Sequence, residues 1–116
     1  MSEVKIVKNS IKKGELKEIA AKQYGDMVKA VVDIEKGIMA IGGEFHIDMQ
    51  TFLSDTEKSS GQNTWGINLY VDKSGDDFIE FDSMINLKPA YNNRSRNVES
   101  KEIQDKIRDL VIKLVK

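Results

Sequence analysis

Cysteine is absent from the 116-residue sequence, and histidine and proline each occur once. Without cysteine, the chain has no disulfides, thiolate zinc sites, iron–sulfur clusters or cysteine nucleophiles. The single histidine, His46, excludes a two-histidine zinc site within one chain, and any Ser-His-Asp arrangement depends on it. Phosphate-binding loops, dinucleotide-binding fingerprints and zinc-hydrolase motifs are missing as well. The sequence therefore carries none of these enzyme signatures.

Long apolar runs are also missing. The longest, such as residues 27–32, are short and include Lys29, so we expect no segment that crosses a membrane. The first residues lack the apolar stretch of a secretory signal. Together with the absence of cysteine, these features favour a cytoplasmic location.

The length and composition predict one soluble globular domain over residues 1–116. The net charge of −1 hides an asymmetry, because residues 37–82 contain nine acidic and two basic side chains. Residues 1–36 contain eight basic and six acidic side chains, and residues 83–116 contain eight basic and four acidic ones. This pattern disfavours a nucleic-acid binder, which usually has a net basic footprint. It suits a cation site or a basic partner, or it is ordinary solvated surface.

Hydrophobic periodicity predicts two long helices and a first β-hairpin. Apolar residues three and four apart predict a helix from Lys12 to Tyr24 and an amphipathic helix from about Ser100 to the C-terminus. Met27–Ile34 and Ile38–Ile41 predict the hairpin, with Gly37 supplying positive φ in its turn. Two minor elements are also expected: an edge strand near residues 4–7 and a short helix over residues 49–54.

A second hairpin is predicted from strict alternation of apolar and polar residues over 65–71 and 79–87. Placing Leu69 opposite Phe81 sets Asn68 opposite Asp82, and it also sets Tyr70 opposite Glu80. The fold class is therefore α+β: a four- or five-stranded, mainly antiparallel sheet with two hairpins. The N-terminal and C-terminal helices pack on one face, and the other face is left open.

Four short segments together resemble those of a known protein family. They are Gly42-Gly43-Glu44 with His46, then WGIN at 65–68, FDSMIN at 81–86 and NRSR at 93–96. The chain resembles an uncharacterised family of short prokaryotic proteins, a domain of unknown function, over about residues 5–115. The resemblance implies a shared fold and supplies no mechanism.

Glu44, His46 and Asp48 are spaced by two and are the candidate metal ligands. On a strand they would project from one face, about 6.5–7 Å apart, which is long for chelation of one ion. The alternative is that His46 ends a strand and hydrogen-bonds locally, while Asp48 caps the following helix.

Glu80 and Asp82 are the best strand-borne carboxylate pair, and they share a face with Asn68 and Tyr70. Paired carboxylates can divide acid and base roles, or they can hold a cation through their oxygens. The alternative is an ordinary solvent-facing side of an antiparallel sheet.

Arg94 and Arg96 lie in an asparagine-rich loop that precedes the C-terminal helix. Their guanidinium groups suit a phosphate or a carboxylate ligand. They equally suit ion pairs with Glu80, Asp82 or Glu44 that hold the loop over the sheet.

Three functional hypotheses follow. The first is a binding or interaction module, with a small anionic ligand, a protein partner or a second copy of the chain as its occupant. The second is a small hydrolase or transferase that uses the acids and arginines, with or without a metal. The third is a regulator that binds nucleic acid. In each case we expect the activity to centre on one polar patch, which consists of Glu44, His46, Asn68, Glu80, Asp82, Arg94 and Arg96.

Overall fold

An antiparallel five-stranded sheet forms the centre of the structure, a computed structural model that describes residues 4–116. The strands are β1 (Lys5–Val7), β2 (Met27–Asp33), β3 (Ile38–Ile41), β4 (Thr64–Tyr70) and β5 (Ile79–Glu80). The helices are α1 (Lys13–Lys22), α2 (His46–Glu57) and α3 (Lys101–Leu114). Single-turn 3-10 helices lie at Gly75–Phe78, Met84–Asn86 and Pro89–Tyr91. The predicted α+β class is confirmed.

The strands lie in the order β1-β3-β2-β4-β5, and two helical crossovers connect them. Strands β3 and β4 follow one another in the chain, but they lie on opposite sides of β2, and both run antiparallel to it. The chain must therefore cross over β2 between them, and α2 makes this crossover. In the same way α1 crosses over β3 between β1 and β2. The two crossovers lie on opposite faces of the sheet, because each helix packs in a different hydrophobic cluster.

The larger cluster lies under α1 and α3, as the sequence predicts. Leu16 and Ala20 of α1 and Ile107 and Leu114 of α3 are buried against one face of the sheet. Ser100 caps α3 by accepting a hydrogen bond from the Ile103 N–H. Among residues 4–116, no helix combines the length and the apolar content needed to cross a membrane.

The opposite face is not open, and this expectation is wrong. Helix α2 covers it with Met49 and Leu53, which pack against Val31 and Ala40. The helix begins at His46, which places Asp48 in its first turn and not at the N-cap. Met49 and Leu53, one turn apart, are the two buried residues of α2. Because this helix has so few inward-facing apolar residues, hydrophobic periodicity predicted only its middle, residues 49–54.

The first hairpin is confirmed, whereas the second differs from its predicted register. Gly37 has a φ of 69° in the first turn. In the second hairpin Asn68 pairs with Glu80 and Leu69 with Ile79, a shift of two residues from the predicted alignment. A shift of two leaves every side chain on the face that alternation predicts, since side chains alternate with period two. Strand β5 ends at Glu80, and Met84–Asn86 then forms a 3-10 turn where a strand was predicted.

Truncating Ile107 to alanine tests the packing of α3. Ile107 is fully buried, and removing a buried Ile side chain down to alanine typically costs about 2–5 kcal/mol. We expect a lower melting temperature by many degrees in thermal denaturation. The matched control is Ile112→Ala on the same helix, because Ile112 is 72% exposed. Equal melting temperatures for the two variants would contradict the packing of α3 on the sheet.

Candidate functional site

Five of the predicted patch residues converge on the α2 face of the sheet. Strand pairing sets Asn68 beside Glu80, and the chain leaving β5 carries Asp82. The Asn68 amide nitrogen donates to Glu80 Oε1 at 2.8 Å and approaches the Asp82 carbonyl at 3.3 Å. We call the following set the polar cluster: His46, Asn68, Glu80, Asp82 and Arg96.

Arg96 closes the polar cluster from the loop side. Its Nε lies 2.7 Å from Asp82 Oδ1, which confirms the expected contact between an arginine of this loop and the acids. Both partners are about half exposed, so the pair contributes at most about 1 kcal/mol. Glu44 and Arg94 make no side-chain hydrogen bond or ion pair with this cluster; instead the Glu44 carbonyl accepts from Tyr24, and the Arg94 N–H donates to Glu99.

His46 is held by the sheet. Its Nε2 lies 2.9 Å from the Ile67 carbonyl, which can only accept, so Nε2 donates and Nδ1 of the neutral ring carries no proton. Burial lowers the pKa of His46, and Lys29 lowers it further, against the opposing effects of the Ile67 carbonyl, Asp82 and Asn68. The imidazole is therefore neutral at pH 7.

The predicted metal set is not assembled. Glu44 precedes α2, while His46 and Asp48 lie in its first turn, where residues two apart project to different sides. Among residues 4–116, no three His, Asp or Glu side chains are grouped closely enough to hold an ion. His46 instead hydrogen-bonds to Ile67 of β4, 21 residues further along the chain. The alternative was therefore also wrong, because His46 begins a helix and its hydrogen bond is not local.

Tyr70 extends the polar cluster along β4. Its hydroxyl lies 3.2 Å from Glu80 Oε1, so this one carboxylate oxygen accepts from both Tyr70 and Asn68. Burial and the neighbouring Glu80 charge raise the pKa of Tyr70. Asn68 Oδ1 is buried without a hydrogen-bond partner among the described residues. The donors and acids of the cluster are thus largely bound to one another.

A buried asparagine joins the next segment to β4. The Asn86 side chain accepts from the Gly66 N–H at 2.8 Å and donates to the Gly66 carbonyl at 3.0 Å. Its amide nitrogen also reaches the Arg96 carbonyl at 2.9 Å. Gly66 lets this segment approach closely, because a Cβ there would lie 2.5 Å from the Ser83 Cβ and Oγ.

Asn93 organises the asparagine-rich loop from within. Its amide nitrogen lies within hydrogen-bonding distance of the carbonyls of Asn86, Ser95 and Asn97, and its Oδ1 accepts from the Glu99 N–H. The sequence indicated only an asparagine-rich loop here and did not predict that Asn93 is buried. The only signal was the density of asparagine, which does not distinguish a buried amide from an exposed one.

A groove between α2 and residues 84–91 was not predicted. Its volume is about 720 Å³, within the range of roughly 300–1,000 Å³ for ligand sites. Four large apolar side chains line it while remaining substantially exposed: Ile47 (55%), Met84 (63%), Leu87 (40%) and Tyr91 (53%). The other lining residues are Gln50, Ser60, Gly61, Gln62, Ile85, Lys88, Pro89 and Ala90. We call this feature the α2 groove.

Gly66→Ala tests the close packing between β4 and Ser83. The added methyl group overlaps Ser83, and overpacking of this kind typically costs about 1–3 kcal/mol. We expect a lower urea midpoint in chemical denaturation. Gly61→Ala is the control, because a Cβ there meets nothing within 4 Å. An unchanged urea midpoint for Gly66→Ala would contradict this close packing, because it would show that the segment around Ser83 can move away from β4 without loss of stability.

His46 predicts a loss of stability in mild acid. Its folded pKa lies below the ordinary value of 6.5, so the unfolded chain binds the proton more readily. The stability is fully present above about pH 6.5 and falls as the pH decreases toward the folded pKa. His46→Gln can still donate to Ile67 but does not titrate, so its urea midpoint should fall less between about pH 7 and 5. Parallel midpoint curves for the two proteins would contradict the buried neutral ring.

Comparison with known proteins places the chain in a family. A family model described as a protein of unknown function matches residues 5–114. No curated protein and no solved structure matches the chain. The match confirms the resemblance to a domain of unknown function over nearly the whole chain. The chain therefore belongs to the family of proteins of unknown function designated DUF5674.

Proposed function

We propose that the protein is a binding module that holds an extended apolar segment of another polypeptide in the α2 groove. The observation that carries this proposal is the convergence of Ile47, Met84, Leu87 and Tyr91 on one groove. Single exposed apolar residues are ordinary on a protein surface, but a contiguous group that lines a groove marks an interaction site.

The remaining lining groups favour a peptide over a purely apolar ligand. Gln50, Ser60 and Gln62 supply amide and hydroxyl groups that can hydrogen-bond to a peptide backbone. Gln50 already donates to Thr64 Oγ1 at 2.8 Å, which holds its amide in place. The groove is also shallow and largely open to solvent. An acyl chain would therefore stay in contact with water there, whereas a peptide can turn its polar groups outward.

Both walls of the groove are well supported. Met49 and Leu53 fix α2 to the sheet, and Asn86 and Asn93 fix the opposite wall through buried hydrogen bonds. A preformed groove lowers the ordering cost of binding.

The polar cluster supports the enzyme and nucleic-acid hypotheses less well. Glu80 accepts from two neighbours, and Asp82 is paired with Arg96, so these groups are occupied within the chain. This arrangement supports, for Arg96 alone, the structural role in which an ion pair with one of these acids holds the loop over the sheet.

The test measures the binding of the protein to synthetic apolar peptides that are immobilised through their N-termini. Each peptide is prepared both with a free C-terminal carboxylate and with a C-terminal carboxamide. We expect a subset to bind the protein, and Met84→Glu to weaken that binding by about tenfold or more because it places a charge in the apolar groove. The control is Ile112→Glu, which introduces the same charge on exposed α3 surface outside the groove. Binding should survive in the control.

Two results would overturn the proposal. One is that no peptide of either end chemistry binds. The other is that Met84→Glu and Ile112→Glu bind the selected peptides equally well. Circular dichroism of both variants checks that they are folded before binding is compared.

A further inference from the structure

We propose that binding in the α2 groove and protonation of His46 oppose each other, so that mild acid releases the occupant of the groove. This inference rests on the proposed function and adds a regulation of the same site. Its structural basis is the position of His46 at the point where the two walls of the groove meet.

His46 touches the sheet beside both walls. It begins α2, and the next residue, Ile47, lines the groove. On the opposite wall Ser83 directly precedes Met84, which also lines the groove. A Cβ on Gly66 would lie 3.1 Å from His46 Cδ2 and 2.5 Å from the Ser83 Cβ, so both walls rest on β4 at this residue. A displacement of the His46 ring therefore reaches both walls of the groove.

The His46 imidazole is the side chain that attaches the first turn of α2 to the sheet. Its Nε2 donates to the Ile67 carbonyl at 2.9 Å, and the two residues that follow it are exposed. Phe45, at the N-cap, is exposed and provides no side-chain cap for the free N–H groups of the helix. The next buried side chain is Met49. An uncapped terminal turn with one such contact opens at low free-energy cost.

A second proton on the His46 ring would meet an unfavourable environment. Burial disfavours the charge most strongly, and Lys29, which faces the ring from β2, repels it. The N-terminal end of a helix also disfavours a cation. The backbone carbonyl bonded to Nε2, Asn68 of β4 and Asp82 favour the charged ring, but Asp82 is already paired with Arg96 at 2.7 Å. The net result is a pKa below the ordinary value of 6.5.

These contacts set the direction of the pH effect. When the first turn leaves β4, the ring enters water and regains an ordinary pKa of about 6.5. The attached turn is therefore most stable above about pH 6.5, and acid favours the detached turn. Because Ile47 forms part of the groove, an occupant favours the attached turn. By reciprocity, the occupant must weaken the binding of the proton.

The first experiment follows the ring by NMR in the wild-type chain, where His46 is the only histidine. The probes are apolar peptides selected in the binding test, now in solution, with acetylated N-termini, C-terminal carboxamides and no titratable side chains. We expect the titration midpoint of His46 to lie below 6.5 and to fall further when a peptide saturates the groove. A midpoint that the peptide leaves unchanged or raises would overturn the inference.

The second experiment measures the affinity of the same peptides at pH 7.5 and at pH 5.0. A group with an ordinary pKa of 6.5 shifts the attachment equilibrium by at most about 30-fold over this range, so we expect binding to weaken by about threefold to tenfold. His46→Gln keeps a donor for the Ile67 carbonyl and does not titrate, so its affinity should change by less than about twofold. Lys29→Met removes the repelling charge and should reduce the difference between the two pH values. Lys113→Met, at an exposed site on α3, should preserve it.

An equal pH dependence in the wild-type chain and in His46→Gln would overturn this inference and leave the proposed function standing. So would a wild-type affinity that is the same at both pH values. Circular dichroism is recorded at both pH values, and global unfolding at pH 5.0 would also overturn the inference, because release would then not be local. Failure of every peptide to bind at pH 7.5 would instead overturn the proposed function on which the inference rests.

Discussion

The bidentate contact between the Asn86 side chain and the Gly66 peptide unit determines how the chain after β5 is arranged against the sheet. Strand β5 has only two residues, so the outward N–H and C=O of Gly66 would otherwise lack a partner. An unpaired buried backbone group costs about as much as a lost hydrogen bond. The fully buried Asn86 amide fills that place and draws the chain after Glu80 against β4.

Both surface features follow from that attachment. On one side of it, the turn toward Ser83 carries Asp82 to Arg96 and completes the polar cluster. On the other side, Met84 and Leu87 face α2 across the groove, and Lys88 lies against Trp65. The charged groups of the polar cluster are largely paired with one another, whereas the groove retains exposed apolar surface. The groove is therefore the better candidate for an external partner.

The predicted site shows where reasoning from pattern succeeds and where it stops. Alternation placed Asn68, Glu80 and Asp82 on one face because neighbouring strand residues point to opposite sides. It did not identify which residues are opposite one another, since a shift of two preserves the same faces. The expected alignment of Glu44, His46 and Asp48 is absent for a related reason. A spacing of two aligns side chains on a strand but separates them on a helix, and residues 46–57 are helical.

The sequence by itself determined the fold class, the two helices on one face, the first hairpin and the sidedness of β4, because these depend on local periodicity and turn residues. Only the tertiary structure decided that α2 covers the second face, that Asn86 replaces a strand, and that Lys88 is buried beside Trp65. These features depend on contacts between residues far apart in the chain. An asparagine or a lysine has the same appearance in a sequence whether it is exposed or fully enclosed, so no local pattern reports its environment.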